Sequence, residues 1–368
     1  MKKIFVLQLM LTAFVSFTIN DVAAQGCVAV RSNGAMCTVS HADGDDDHKW
    51  QLTTGYRYFH SFRHFVGTEE QKQRVEEGTD VRNWQHALDF TLVRKLNKRM
   101  SLAVNMPLIS NRRSSMYEHY GNSSTNPNAR RETTTFGMGD IRITAYRWML
   151  DPMKSKKGNI QVGLGLKLPT GDYRYNDFFW KNDSTKVLGP VDQSIQLGDG
   201  GTGISLELNG YYVFTKALSA YGNFYYLSNP REHNGVSTAR GGTTSATNIL
   251  YGSSVMSVPD QYMLRGGLNL MAGAFSASAG VRLEVVPSED IIGGSSGFRR
   301  PGRIFGVEPG VAYQFKKVSL FATVPYWFSK NRTQSYADKM RTKATGVFAQ
   351  GDAAFADYSI NIGCTVKF

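Results

Sequence analysis

An acidic run flanked by histidines is the first place where the sequence could hold a metal ion. His41 and His48 enclose four aspartates, and carboxylate and imidazole groups both bind divalent cations. The run lacks the spaced ligands and the terminal bidentate glutamate of an EF-hand loop, and Cys37 with the two histidines does not match zinc spacing. We therefore interpret the run as a solvated segment and predict neither a metal site nor a cofactor.

A nucleophilic hydrolase would need a base beside a serine or an activated water, usually oriented by a third group. His86 lies within a predicted strand, and its position places it with Trp84 and Leu88 on the apolar face. No serine–histidine pairing occurs nearby. The glycine-rich stretches at 200–203 and 241–242 lack the strand–loop–helix context of a phosphate cradle. The sequence therefore predicts that the protein is not an enzyme.

A larger set of charged residues recurs at alternate positions in otherwise small or apolar stretches. Charges that line a pore set its selectivity, and the mixed signs predict only a modest ion preference. Asp140 should lie close to Lys167 on the next stretch, where the two could pair across strands or contact a solute. The candidates for a lumen lining are Arg57, Asp140, Arg142, Lys167, Glu207, Arg265, Arg282, Glu284 and Glu308.

Basic and imidazole side chains also close the first of these stretches. Arg57, His60, Arg63 and His64 could attract anions at a pore mouth, or they could be solvated residues at the base of a loop. The sequence leaves both interpretations open.

Strands must position these charges, because the chain from residue 49 onward alternates with a period of two. Near the C-terminus Tyr358 and Ile360 share one face while Ser359 and Asn361 share the other. Twelve such segments occur, at about 49–59, 84–95, 100–108, 139–149, 160–168, 204–214, 218–227, 262–270, 275–285, 303–315, 318–329 and 358–368.

The two faces of these segments favour a membrane barrel over a soluble sandwich. The polar faces mix small residues with charges of both signs, as expected of a lumen, and the apolar faces carry aromatic residues. In hydrocarbon all backbone polar groups must pair internally, which only helices or closed barrels achieve. The aromatic residues assigned to the apolar faces are Trp50, Tyr56, Trp84, Trp148, Tyr212, Tyr262, Tyr313 and Tyr326.

The connections between segments alternate in length, as outer-membrane barrels require. Twelve is an even number, so both termini fall on the side of the short turns. The short connections lie at about 96–99, 151–158, 215–217, 271–274 and 316–317. The long ones lie at about 60–83, 110–138, 169–202, 228–260, 287–302 and 330–354, and we expect 110–136 and 228–258, rich in polar residues, to be exposed.

The N-terminus has the features of an export signal. Lys2 and Lys3 precede an apolar stretch, and Val22-Ala23-Ala24 has the small residues that signal peptidase accepts, which predicts cleavage after Ala24. The alternatives are an uncleaved anchor and lipidation at Cys27. After export, Cys27 and Cys37 could form a disulfide. Residues 25–48 would then be a periplasmic leader or a small plug.

The last residue, Phe368, follows hydrophobic residues at every second position. This arrangement resembles the signal that the barrel-assembly machinery of the outer membrane recognises. We expect that machinery and outer-membrane lipids as partners. A formal net charge of +12 could otherwise indicate nucleic-acid binding, but export argues against it.

Three glycine-rich stretches resemble a family of Gram-negative outer-membrane barrels labelled meta-pathway of phenol degradation. They occur in the family's order within about 137–215, a fifth of the chain: Gly137-Met138-Gly139-Asp140, Gly163 to Asp172 with its Lys-Leu-Pro-Thr-Gly-Asp ending, and Gly198 to Gly203. The resemblance implies a barrel that admits hydrophobic or aromatic solutes.

Together these observations predict a 12-stranded antiparallel outer-membrane β-barrel over residues 49–368, with long outer loops and short periplasmic turns. A barrel of this size should have a narrow pore or a lumen plugged by a loop. The predicted function is passive uptake of small solutes. The alternative is a surface scaffold or binding protein that acts through its long loops. The sequence does not indicate the oligomeric state.

Overall fold

A computed structural model describes residues 48–368. The predicted export signal, the Cys27–Cys37 pair and the acidic run from His41 to Asp47 lie outside the described residues.

The described chain is almost entirely β-structure, and no helix in it is long and apolar enough to cross a membrane. Its strands are β1 (Trp50–Val66), β2 (Glu69–Glu70), β3 (Arg82–Lys95), β4 (Met100–Ser115), β5 (Arg131–Met138), β6 (Arg142–Trp148), β7 (Gly158–Lys167), β8 (Asn176–Trp180), β9 (Lys186–Pro190), β10 (Gly203–Val213), β11 (Leu218–Ser228), β12 (His233–Ser237), β13 (Val255–Ser257), β14 (Gln261–Ala272), β15 (Phe275–Val286), β16 (Gly302–Gln314), β17 (Val318–Thr323), β18 (Tyr326–Arg332) and β19 (Ala353–Lys367). Its short helices are α1 (Gln73–Glu76), α2 (Ala246–Leu250) and α3 (Tyr336–Thr345).

Twelve antiparallel staves close into one barrel, which confirms the predicted fold class. Each stave pairs with its neighbours along the chain, and β19 pairs with β1 to complete the ring. β5 and β6 together form the fourth stave, and β17 and β18 together form the eleventh. The hairpins β8–β9 and β12–β13 stand outside the ring in the long loops. We call the two ends of the barrel the turn end and the loop end.

Proline and glycine account for the interruption of the eleventh stave. Pro325 separates β17 from β18, since proline has no backbone N–H to give to the ladder. Close by, the register shifts between Phe305 and Gly306 of the neighbouring β16. A Cβ at Gly306 would lie 2.0 Å from the carbonyl oxygen of Tyr326, so only glycine allows the two backbones to approach this closely.

The apolar face of each stave points outward, and the polar face points into the barrel. Leu164, Ile204 and Leu264 are more than half exposed, whereas Arg265 and Glu308 are buried inside. One aromatic assignment was wrong. Trp148 lies opposite Gln161 on the inward face and packs edge-on against Tyr211, with ring centroids 5.9 Å apart. The alternation in its stave runs through Arg142 and Tyr146, which places Trp148 inside.

Several staves extend beyond their predicted ends at the loop end. β4 continues to Ser115, β1 to Val66 and β19 begins at Ala353. The extension of β4, Ser110-Asn111-Arg112-Arg113-Ser114-Ser115, is polar on both faces, so the period of two disappears although the ladder continues. Alternating hydrophobicity therefore reports only the part of a stave that has one apolar face.

The turn end holds both ends of the barrel chain. The backbone N–H and carbonyl of Phe368 both bond to Trp50, at 2.9 Å each, and so extend the seam between β19 and β1.

His86 lies on the outward face as predicted, and its Nδ1 is 2.7 Å from the Tyr56 hydroxyl.

Candidate functional site

The long loop between β9 and β10 folds back into the barrel instead of standing outside it. We call residues 191–201 the plug segment. Val191, Asp192, Ile195 and Leu197 in it are at most 3% exposed, although no strand pairing holds the segment. A buried loop must find partners for its backbone groups. The interior of the barrel supplies them.

The partners of the plug segment come from inward-facing side chains of the barrel wall. The carbonyl of Ile195 accepts hydrogen bonds from Asn111 Nδ2 at 3.0 Å and from Thr135 Oγ1 at 2.7 Å. Leu197 packs against Ala87 and Ile109. The wall therefore holds the segment by a few side-chain contacts.

Asp192 attaches the plug segment to three arginines, of which one is on β4 and two lie in the loops after β12 and β15. Arg300 binds its carboxylate with two hydrogen bonds of 2.7 Å, and Arg113 and Arg240 lie 3.5 and 3.7 Å away. Glu118 shares the last two arginines, at 2.9 and 3.0 Å. We call these five residues the plug cluster. The two carboxylates of the plug cluster are almost fully buried. A buried charge is costly unless it is paired, so each carboxylate depends on the neighbouring guanidinium groups to stay ionised.

The base of the plug segment is fixed by the lysine and aspartate that the sequence placed on adjacent stretches. Lys167 Nζ lies 3.8 Å from Asp140 and forms a close ion pair with Asp199 of the plug segment. Asp140 also accepts a hydrogen bond from the backbone N–H of Gly171 at 3.0 Å. The Pro-Thr-Gly-Asp turn and the plug segment thus meet at one anchoring point.

A second charged group lies deeper in the lumen. Glu308 accepts hydrogen bonds from Arg265 at 3.1 Å and from Arg282 at 2.8 Å, and Arg282 also binds Glu284 at 2.7 Å. We call these four residues the lumen network. Two cations and two anions balance in it, so the lumen has no strong net sign at this level.

The remaining candidates stand apart from the lumen network, although all nine face inward. Arg57 lies 3.8 Å from Asp89. Glu207 accepts a hydrogen bond from the Tyr146 hydroxyl at 2.7 Å. The guanidinium of Arg142 lies 5.5 Å from the ring centroid of Tyr225, and its Nε is buried without a hydrogen-bond partner among the described residues.

The plug segment leaves little free space beside it. The cavity it borders measures about 40 Å³ and is lined by Arg57, Arg142 and Lys167 together with Ile109 and Leu227. That is room for about three ordered waters and no larger solute. The space between the plug segment and this part of the wall is therefore too small for an organic solute.

Neither a protein-family profile nor a curated protein matches the chain. Among solved structures, an outer-membrane channel from Pseudomonas putida F1 is similar, with 13% identity, a TM-score of 0.55, and coverage of 87% of this chain and 96% of that one. The chain has the fold of that channel. The monoaromatic hydrocarbon channel CymD (10% identity, TM-score 0.43, 96% of this chain and 99% of that one) and the P. putida toluene transporter TodX (8%, 0.41, 95% and 99%) align more loosely. The resemblance to the meta-pathway barrels stays a prediction.

Sequence reasoning missed the plug cluster, since its members lie in stretches predicted to be long outer loops. The expected exposure of 110–136 and 228–258 was wrong for Glu118, His119 and Val258, which are at most 4% exposed. The apolar residues Val191, Ile195 and Leu197 in a polar loop were the available signal. They indicate burial without any strand period.

The plug cluster should resist moderate acid. Burial alone would raise the pKa of Glu118, but Arg113 and Arg240 outweigh it and lower the pKa to about 2. Burial is likewise outweighed at Asp192, whose pKa lies well below its usual range because of Arg113 and Arg300. The two carboxylates contribute their full stabilisation at pH values above the ordinary carboxyl pKa. The contribution decreases as the pH drops under that value, and it is lost once the pH has passed the lowered pKa values.

We therefore expect the conductance of the protein in planar bilayers to be the same at pH 7 and pH 5. It should rise progressively as pH falls below about 4, the ordinary carboxyl pKa, because the open state then takes up protons that the closed plug cluster does not. Conductance recorded from single channels over this range measures the effect. An increase between pH 7 and pH 5 would contradict the assignment of these ion pairs as the fastening of the plug.

Proposed function

We propose that the protein is an outer-membrane channel for small solutes, with a lumen closed at rest by the plug segment. The observation that carries the proposal is how the plug segment is held. It is buried within the barrel, yet side-chain contacts to Ile195 and Asp192 fasten it and no ladder of strand pairing does. A segment held in this way can leave the lumen without breaking the barrel wall.

The outward surface of the barrel supports a place in a membrane. Leu164 is 62% exposed to the surroundings, and Ile204, Leu264 and Ile362 are also more than half exposed. Apolar side chains in a continuous band around a barrel match the hydrocarbon of a bilayer. Together with the predicted export signal and the C-terminal Phe368, this band supports a location in the outer membrane. It also supports the lipids of that membrane and the barrel-assembly machinery as partners.

We further propose that the solute is small and hydrophobic or aromatic. The resemblance to the phenol-pathway barrels supports this class, as does the mixed lining of the closed cavity. Ile109, Leu227 and Met256 face the same space as Arg57 and Arg142. Apolar side chains with a few placed polar groups are the usual lining of sites for small organic molecules. The nine inward-facing charged candidates would set the ion preference.

Current recordings in planar bilayers test the proposal. We expect small unitary currents from the purified protein and brief interruptions when a compact aromatic solute is added, whereas a sugar of similar mass should cause none. The physical reason is that an aromatic ring partitions onto the apolar part of the lining. If neither the native protein nor a variant without the plug segment conducts, the protein is not a channel, and the scaffold alternative is favoured.

A further inference from the structure

The loop end of the barrel contains a second and larger cavity, which is separate from the one beside the plug segment. Its volume is about 350 Å³, within the range of sites that bind small molecules. Residues from the loop ends of β1, β4, β18 and β19 and from the connecting loops enclose it. We propose that this loop-end cavity is a binding site for a small organic anion, a carboxylate carried on a compact apolar group.

The charge of the walls favours an anion. Six arginines line the cavity, and the acidic residues on its walls are Asp338 and Asp352. Carboxylates that do not line the cavity neutralise most of this charge. Glu118 and Asp192 bind arginines of the plug cluster. Asp290 binds Arg299 at 2.6 Å. Six guanidinium groups thus share five carboxylates. The lining arginines are Arg74, Arg113, Arg240, Arg299, Arg300 and Arg332.

Arg332 has unused hydrogen-bonding capacity on the wall of the cavity. It is 4% exposed, and its Nη2 reaches Asp338 at 3.1 Å. Its Nε and Nη1 are buried and have no partner among the described residues. Arg74 Nε, on the same cavity, is also buried and unpartnered. A buried donor without an acceptor is costly, and a carboxylate is the acceptor that fits a guanidinium fork best.

The apolar part of the cavity lining favours an apolar group on the bound carboxylate. Val81, Phe298 and Ala353 contribute apolar surface next to the arginines. Phe298 already lies under a guanidinium, with Arg300 Cζ 4.7 Å from its ring centroid. An anion with an aromatic or short aliphatic body would gain from both parts of the wall, whereas inorganic phosphate would use the arginines alone. The inference deepens the proposed function, since it adds a site where an organic solute would first be held.

Titration calorimetry with benzoate as the probe tests the site in the purified, detergent-solubilised protein. We expect saturable binding, at least about tenfold weaker binding of inorganic phosphate and of benzyl alcohol, and about tenfold weaker benzoate binding by Arg332→Gln. Arg303→Gln is the matched control, since Arg303 lies one stave away on the outward face of β16 and does not line the cavity. Its affinity for benzoate should equal that of the native protein.

Arg74→Gln is a second variant in case Arg332→Gln does not fold, because Arg74 lies on the short helix α1 outside the barrel ladder. Equal binding of benzoate and phosphate, benzoate binding unaffected by the folded variants, or no binding would each overturn the proposal. Calorimetry requires no transport. A protein that binds benzoate but never conducts would therefore refute the channel and leave the site standing.

Discussion

Replacing residues 192–198 by a glycine–serine linker of equal length is expected to raise the mean single-channel conductance about tenfold or more, because nothing then fills the lumen that twelve strands enclose. The replacement removes the Asp192 carboxylate from Arg300 and the Leu197 side chain from Ala87 and Ile109. The staves keep their ladder, since the segment pairs with none of them. Planar-bilayer recordings measure the change.

A single substitution should reproduce part of this effect. Asp192→Asn removes the charge that Arg113, Arg240 and Arg300 share, and breaking a buried ion pair costs about 3–5 kcal/mol. At about 1.4 kcal/mol per factor of ten, the ratio of open to closed channels should rise about a hundredfold to a few thousandfold. A glycine–serine replacement of the exposed hairpin tip at 182–185 is the control, since it leaves in place Lys181, which bonds to Glu118. If the plug variants fold and conduct like the native protein, the plug segment does not gate the lumen.

Glu308→Gln should have the second-largest effect, on both ion selectivity and stability. Glu308 is 2% exposed and holds Arg265 and Arg282 at once. Its loss leaves the two buried guanidinium groups of the lumen network with one carboxylate of that network, Glu284. We expect the free energy of unfolding to fall by about 3 kcal/mol, and the open lumen to become several-fold more permeable to chloride than to potassium, since the network then has an uncompensated positive charge.

Reversal potentials in a salt gradient measure the second effect, with the plug segment replaced so that the lumen conducts. Glu132→Gln is the matched control. It removes the same charge from the exposed, outward face of β5, where it lies 3.9 Å from Arg112. The control should leave selectivity and melting temperature unchanged. An unchanged reversal potential for Glu308→Gln would remove the lumen network from the set of selectivity residues.

The wall of the barrel could be predicted from the sequence, and the closure of its lumen could not. A period of two is a local property, so Arg282 and Glu308 fall on the polar face as soon as their strands are recognised. Even here, Trp148 was misplaced because its aromatic ring suited either face. The pairing of Lys167 with Asp140 also followed, since the two lie on neighbouring staves.

The plug cluster depends on contacts that no periodic pattern encodes. Asp192 and Arg300 are 108 residues apart in the chain, and both lie in irregular segments. These segments were predicted to be long outer loops, and their arginines let acidic residues be buried between them. The general expectation of a narrow or plugged lumen came from the number of strands. Which segment plugs it is visible only in three dimensions.

The seam of the barrel has a consequence for the order of folding. Gln51 of β1 pairs with Lys367 of β19, so the ring joins the two ends of the described chain. Contacts between residues so distant in sequence form slowly, because a long loop must close first. Until the last strand has been synthesised, β1 keeps one edge with unpaired backbone groups, and such an edge is a template for aggregation. The unfolded chain must therefore be shielded until β19 has paired with β1.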